Sequence, residues 1–203
     1  MKVLIACEFS GIVRDAFAAK GHDAWSCDLL PCERGGNHIQ GDALKILNDG
    51  WDLMIAHPPC THLSSSGAVY WPAKQADGRQ QQAVEFFMTI FYCGIPRICC
   101  ENPAGILSTL FRKPDQYIDP FEFGDPYLKR TGLWLKNLAM LKSTNIVVPI
   151  ASWHGGSRRG GKKKDGTRTP AKLPTALKYG WKERSRTFQG IATAMAEQWG
   201  YKN

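Results

Sequence analysis

Two short segments carry residue types that could do chemistry together. His57-Pro58-Pro59-Cys60-Thr61 directly follows the apolar run 51–56. The two prolines fix their own φ and restrict the residue before them, so the chain leaves the run stiffly and presents the Cys60 thiol instead of packing it. Rigidity matters because a nucleophile must sit at attack distance from one atom, and small misplacements cost large factors in rate. Glu101-Asn102-Pro103 closes the next short apolar run, 97–100, which puts Glu101 beside Cys60 if the two runs are neighbouring strands. A thiolate adds poorly to a pyrimidine ring unless ring nitrogen 3 is protonated or hydrogen-bonded as charge develops there. A carboxylic acid kept partly protonated by its surroundings can do that. Each segment alone has an ordinary explanation, since Pro-Pro-Cys can be a structural turn and Asn-Pro is a common one. Ser64-Ser65-Ser66-Gly67 reads as a flexible loop able to close over a substrate.

The elements that must position these residues follow from the apolar pattern. Run 2–7 is a strand, and Ser10-Gly11 turns into a helix with apolar residues at 12, 13, 16 and 17 that ends at Gly21. Strand 23–27 ends at Asp28, a short helix follows Gly41-Asp42, and the buried strand 51–56 leads to the prolines. Helix 80–92 precedes strand 97–100, and 190–199 again has helical spacing, while the chain past Pro120 is less regular. Alternating strands and helices with polar residues at the strand ends describe an α/β, doubly wound, mostly parallel sheet whose ligands lie beyond the carboxyl ends of the strands. One domain is expected over residues 1–203, with no internal repeat.

Glu8, Asp28 and Asp42 stand at or near the ends of successive early segments. Aspartate is common in turns for local reasons. Three acids in order at the ligand edge favour an adenosine-containing cofactor, with Asp28 accepting from the ribose diol and Asp42 from the adenine amine. The lone Gly11 does not make the Gly-x-Gly-x-x-Gly fingerprint, so a dinucleotide with its pyrophosphate is disfavoured, and a dehydrogenase with it.

Charge is concentrated rather than spread. The formal net charge is +8, and residues 157–172 hold seven bases, Arg158, Arg159, Lys162, Lys163, Lys164, Arg168 and Lys172, against the single acid Asp165. Interspersed glycines at 155, 156, 160, 161 and 166 make this a loop, and such a loop suits a polyphosphate partner whose counterions it would displace, pointing to nucleic acid. A solvated surface loop is the bland alternative. The seven cysteines include no Cys-x-x-Cys pair and the histidines no zinc spacing, so no metal is expected, and most of the cysteines read as small buried hydrophobes of a reducing compartment. No apolar stretch is long enough to span a bilayer and no targeting segment is visible at the N-terminus, so a cytoplasmic monomer with no membrane partner is expected.

Taken together, these segments resemble the cytosine-5 DNA methyltransferase family. Phe9-Ser10-Gly11 looks like its first, cofactor-binding motif, Asp28 like its ribose acid and Gly41-Asp42 like its third motif. Pro58-Pro59-Cys60 resembles the nucleophile motif and Glu101-Asn102 the glutamate motif. Lys129-Arg130-Thr131 is more loosely similar to the Gln-x-Arg-x-Arg segment, and Gln189-Gly190-Ile191-Ala192 to the final motif, which completes the cofactor pocket. The resemblance implies a Rossmann-like fold that binds S-adenosylmethionine through Phe9, Ser10, Gly11, Asp28, Asp42, Pro58 and Gly190. It implies a cytosine flipped out of duplex DNA, with Cys60 adding to carbon 6, Glu101 at nitrogen 3, Arg130 at the carbonyl oxygen, and carbon 5 taking the methyl group. RNA or free cytidine nucleotides as substrate, and a noncatalytic nucleic-acid binder, are the alternatives. An amino-methyltransferase fits less well, because His57 and Cys60 flank the prolines.

The chain departs from the family in several places. Val13 and Arg14 replace the later glycines of the first motif, His57 replaces a small residue, Thr61 stands where Gln is usual, and Ile191 where Asn is usual. Only residues 137–180 separate Lys136 from Trp181, where the family inserts a large target-recognition domain, and the basic loop 155–172 takes that place. Phosphate contacts carry no direct base information, so short or relaxed sequence specificity is expected.

Overall fold

Seven strands form one sheet with helices on both faces in the computed structural model, which describes residues 1–153 and 180–201. In chain order the elements are β1 (Lys2–Ala6), α1 (Ile12–Ala18), β2 (Asp23–Asp28), β3 (His38–Gln40), β4 (Leu53–Ala56), α2 (Trp71–Ala76), α3 (Arg79–Tyr92), β5 (Ile98–Pro103) and α4 (Leu107–Leu110). They continue with β6 (Gln116–Ile118), β7 (Tyr127–Leu128), β8 (Thr131–Lys136), β9 (Ala151–Ser152), α5 (Trp181–Ser185) and α6 (Gln189–Trp199). Short 3₁₀ turns at Ala43–Ile46, Ser65–Tyr70 and Pro120–Glu122 join them.

The sheet order is β3-β2-β1-β4-β5-β8-β6, and β7 and β9 make a separate parallel pair. β1 to β5 are mutually parallel, while β8 runs antiparallel to both β5 and β6. The doubly wound, mostly parallel sheet expected from the sequence is therefore present. Its antiparallel member lies in the stretch past Pro120, where short strands interrupted by Pro and Gly leave little periodic signal. β3, with three residues, gave none at all.

Buried parallel strands show apolar residues on both faces, and here the alternation sorts them into two cores. Val3, Ile5, Leu53, Ile55, Cys99 and Leu133 face α1 and α6, whereas Leu4, Ala6, Met54, Ala56, Cys100 and Trp134 face α3. Cys27, Cys99 and Cys100 are buried within this packing, as small hydrophobes would be, and Cys60 is exposed. The largest fully buried side chain, Trp134, meets Phe87 edge to face at 5.2 Å and gives its indole N–H to the Arg112 carbonyl at 2.9 Å.

Helix α6 docks by a close backbone approach. A Cβ on Gly190 would lie 1.9 Å from the Phe123 carbonyl oxygen, and the Gly190 N–H bonds Asp125 Oδ2 at 3.0 Å. Gly190→Ala is therefore expected to push the helix off the 3₁₀ turn, at an overpacking cost of about 1–3 kcal/mol. That corresponds to roughly 2–4 °C of midpoint per kcal/mol in thermal unfolding of a domain this size. An unchanged midpoint would rule out the tight docking.

Candidate active site

The exits of β4 and β5 lie side by side, because the two strands pair in parallel with Ala56 opposite Cys100. The ladder reaches one residue past β4, where the His57 N–H bonds the Ala6 carbonyl at 2.9 Å. Pro58 is buried, and its carbonyl accepts from the buried Asn102 Nδ2 at 2.8 Å. Beyond it the chain turns, with the Leu63 and Ser64 N–H groups bonding the Cys60 carbonyl at 3.0 and 2.9 Å. The segment after Cys60 is pinned along its length. Lys74 Nζ donates to the Thr61 carbonyl at 2.6 Å, the Ser65 N–H to Ala104 O at 3.0 Å and the Ile106 N–H to Leu63 O at 2.9 Å. Gly105 permits the last of these, since a Cβ there would stand 2.0 Å from Leu63 O. The serine-rich segment, expected as a flexible closing loop, is instead a 3₁₀ turn over Ser65–Tyr70 fastened to the chain after Glu101. Its hydroxyls bond locally, Ser64 to Ser66 and Ser65 to Ala104 O, which serine-rich composition does not distinguish from looseness.

Glu101 is partly buried among basic and hydroxyl groups. Its Oε2 meets His57 Nδ1 at 3.3 Å. Burial alone would raise its pKa, but the hydrogen bond from His57, with Lys129 and Thr131, outweighs that and holds the carboxyl below its usual range, the opposite of the partly protonated acid expected from the sequence. Lys129 lies close enough to both Glu101 and Cys60 for its charge to act on each, and burial lowers its own value against their pull. Its ammonium donates to the Arg186 carbonyl at 3.1 Å.

Strand parity decides which of the adjacent bases Lys129 and Arg130 lies on the Glu101 side of the sheet edge. Glu101 pairs with Leu133 and Pro103 with Thr131. Side chains alternate along β8 and the residues leading into it, so Lys129 and Thr131 share the face of Leu133, whereas Arg130 shares the face of Gly132 and Trp134. Arg130 is exposed and its guanidinium lies 4.5 Å from the Tyr117 ring centroid. The basic residue brought to Glu101 and Cys60 is Lys129, and a two-residue period read back from Leu133 selects it once Leu133 is known to pair with Glu101.

Phe9, Ser10, Gly11, Asp28 and Asp42 of the expected cofactor residues stand at or just past the ends of β1, β2 and β3, with Pro58 after β4 and Gly190 in α6. Gly11 starts α1 in the left-handed region, at φ 73°, and a Cβ there would meet Arg14 Nη2 at 2.6 Å. Glu8 faces the other way from what the sequence suggested. Its carboxylate is buried and accepts from the Val13 N–H at 2.7 Å and the Arg14 N–H at 3.2 Å, capping α1. Ser10 is also buried, its hydroxyl 3.1 Å from Glu8 Oε1. Phe9 is buried, and its carbonyl accepts from the Glu33 N–H at 2.9 Å. Asp28 and Asp42 each use one oxygen locally, on Leu30 N at 2.9 Å and Leu44 N at 3.0 Å, and the second oxygen of each has no hydrogen-bond partner among the described residues. Both also act on Cys7, whose thiol is pushed far up first by burial and then by these two charges and Cys27. Two carboxylates with a free oxygen at neighbouring strand ends suit a ligand presenting a diol and an amine, so the donor set fits an adenosine moiety. Gly190 lies at the close approach of α6 to Phe123.

The far side of the site is closed by the segment before α6. Arg186 makes a two-pronged ion pair with Glu33, at 2.9 and 2.8 Å, while its carbonyl holds Lys129. A cavity beside Glu101 is lined by Lys129, Thr131, Thr187, Phe188, Ile191 and Met195. Trp153 packs edge to face on Tyr127 and Phe188 at 5.0 and 4.9 Å. Arg158, Arg159, Lys162, Lys163, Lys164 and Arg168 fall outside the described residues. Among the described residues no helix is long and apolar enough to cross a membrane, and no three His, Cys, Asp or Glu side chains are grouped to hold a metal ion.

No family model matches the chain, and no curated protein matches it. Solved structures do. One is a candidate DNA modification methyltransferase encoded within a prophage of E. coli, 17% identical, covering 72% of this chain and 51% of its own, with a TM-score of 0.47. Another is the Entamoeba histolytica methyltransferase EhMeth, 13% identical, covering 71% and 57%, at 0.48. A third is the S. pombe Dnmt2 methyltransferase, 14% identical, covering 68% and 50%, at 0.43. The chain thus spans about half the length of the structures it resembles.

The electrostatics make the Cys60 thiol a reporter on its neighbours. Its pKa is raised above the ordinary 9.0, first by its low-dielectric surroundings and then by Glu101, and is pulled down by Lys129 and Arg184. Alkylation of Cys60 by iodoacetamide, followed by peptide mass spectrometry, should still be accelerating above pH 9, since the thiolate is the reactive form. At pH 8 Glu101→Gln should speed it several-fold and Lys129→Met should slow it. Identical rates in all three proteins would contradict the proximity of these groups.

Proposed function

We propose that this chain transfers a methyl group from S-adenosylmethionine to carbon 5 of cytosine in DNA, with Cys60 as covalent nucleophile and Glu101 as the acid at ring nitrogen 3. The observation that carries the proposal is the convergence of an exposed thiol on a proline-stiffened exit with a partly buried carboxyl from the adjacent strand, beside the partly buried ammonium of Lys129. A bare nucleic-acid binder has no need of that grouping.

Asp28 and Asp42 would hold the ribose diol and the adenine amine, with Phe9, Gly11 and Pro58 completing the pocket. When bound, S-adenosylmethionine supplies an electrophilic methyl group on a sulfonium. The chain's own residues do the rest. Cys60 Sγ, ionised, forms a bond to carbon 6. Glu101 delivers a proton to nitrogen 3 as negative charge arrives there, so that carbon 5 becomes a nucleophile. Once carbon 5 is methylated, loss of its proton re-forms the carbon 5–carbon 6 double bond, breaks the carbon–sulfur bond and frees the Cys60 thiolate, while nitrogen 3 returns its proton to Glu101. Lys129 favours the Cys60 thiolate and, lying on the Glu101 face of β8, takes the place expected of Arg130 as the cation available to the cytosine carbonyl oxygen. Asn102 keeps the Cys60 exit in position through Pro58. The basic residues 158–168 would hold DNA phosphates in the place of a target-recognition domain within this single catalytic domain, which gives short or relaxed sequence specificity.

The test is transfer of labelled methyl from S-adenosylmethionine to duplex DNA, RNA and cytidine nucleotides by the wild-type protein and by Cys60→Ala. Label should enter DNA cytosine, and Cys60→Ala should reduce transfer by at least about a thousandfold, as removal of a covalent nucleophile does. Transfer that survives the substitution would refute the covalent mechanism, label confined to RNA or nucleotides would reassign the substrate, and one long, strictly required DNA site would refute relaxed specificity.

A further inference from the structure

His57 is the residue of the site that neither the sequence motifs nor the proposed chemistry uses. It sits where the resembled family has a small side chain, and that departure brings an imidazole to Glu101. Its side chain is nearly buried, 9% exposed against 22% for Glu101, and its peptide N–H is fixed to the end of β1. Of its two ring nitrogens, Nδ1 meets Glu101 Oε2 at 3.3 Å, and Nε2 is buried with no hydrogen-bond partner among the described residues. This asymmetry selects a tautomer. A proton on Nδ1 has a carboxyl oxygen to bond, whereas a proton on Nε2 would be a buried donor without an acceptor, the costlier arrangement.

We propose that His57 is a positioning residue that acts through Glu101: its Nδ1–H holds Oε2, turns Oε1 toward ring nitrogen 3 of the base, and stabilises the carboxylate left when the proton has gone to the ring. This rests on the assignment of Cys60 and Glu101 made above, and concerns the addition step. As the Sγ to carbon 6 bond forms, the electrons of the carbon 5–carbon 6 double bond move through carbon 4 to nitrogen 3. Nitrogen 3 takes the proton from Oε1, the O–H bond of Glu101 breaks, and the new carboxylate accepts from His57, which keeps its own proton throughout. In reverse, the proton returns to Oε1 as the carbon–sulfur bond breaks.

The other groups facing this pair are the Lys129 ammonium and the Thr131 hydroxyl beside β8, the Cys60 thiol on the same exit as His57, and Arg184 on α5 acting on Cys60. None of them is altered by substituting His57, so a change in pH dependence reports the His57–Glu101 contact. The sign follows from the geometry. The active form of Glu101 is the protonated one, and His57 favours the ionised one. Removing His57 lets Glu101 stay protonated to higher pH but leaves it a weaker acid in a less defined orientation.

The experiment measures the rate of covalent adduct formation with duplex DNA containing 5-fluorocytosine, in the presence of S-adenosylmethionine, across pH, for wild type, His57→Ala and His57→Asn. Asparagine places an amide N–H near the position of Nδ1 without a titrating ring. His57→Ala should slow the adduct at neutral pH by roughly 10- to 100-fold, the range of a lost positioning or acid–base contribution. It should also move the alkaline limb of the rate profile to higher pH, while His57→Asn recovers most of the rate and the wild-type limb. Affinity for S-adenosylmethionine, measured by calorimetry, should be the same in all three and serves as the check on folding. If wild type forms no adduct although it transfers methyl, the Cys60 and Glu101 assignment is overturned and this role with it. If wild type forms the adduct and His57→Ala matches it in rate and limb, or is slowed with an unmoved limb, the role of His57 alone is overturned.

Discussion

Beyond the His57 N–H, two consecutive prolines leave the exit from β4 with no further N–H to anchor it, and the hydrogen bond from Asn102 to the Pro58 carbonyl is what answers that constraint. A proline exit is stiff in its own dihedrals but cannot join a ladder. Something must hold it from the acceptor side. Asn102 does so from within β5, one residue after Glu101, so the element that carries the acid also fixes the element that carries the thiol. Further along, the backbone bonds from Ser65 to Ala104 and from Ile106 to Leu63 repeat the stitching. The Cys60 and Glu101 loops therefore behave as one piece, and the tightness at Gly105 shows how little room is left between them.

Much of this was legible in the sequence. The apolar runs 2–7, 51–56 and 97–100 hold the central parallel strands β1, β4 and β5, buried on both faces, with the more mixed run 23–27 as β2 beside them, and the residues that end them mark the ligand edge. The parts that did not read out depend on direction rather than on identity. Glu8 is an acid at a strand end like Asp28, yet it turns under the chain to cap α1, because the helix that starts at Gly11 has unpaired N–H groups nearer than any ligand. Lys129 and Arg130 are adjacent and alike in charge, and only the register of an antiparallel strand, invisible without its partner, decides which of them meets Glu101. The serines after Cys60 have the composition of a loose loop and the hydrogen bonds of a fixed one.

The antiparallel direction of β8 shapes the site in a second way. A parallel strand next to β5 would have sent its residues past Glu101 in the same direction and carried its exit toward the ligand edge as well. Running the other way, β8 instead enters at that edge, so the residues just before it, with Lys129 among them, come to the site as the strand begins. One reversal of direction thus converts a strand start into part of the ligand edge, without any added loop.

Arg186 has a consequence of another kind. Its side chain grips Glu33, near the beginning of the chain, and its carbonyl holds Lys129, so the wall of the site is assembled from segments more than 150 residues apart. Contacts of such sequence separation carry the largest loop-closure cost and form late. A ribosome releasing this chain vectorially would expose the thiol, the acid and the open strand ends well before the segment that walls them in. The thiol would thus stand without its full set of neighbours for as long as the remaining chain takes to be made.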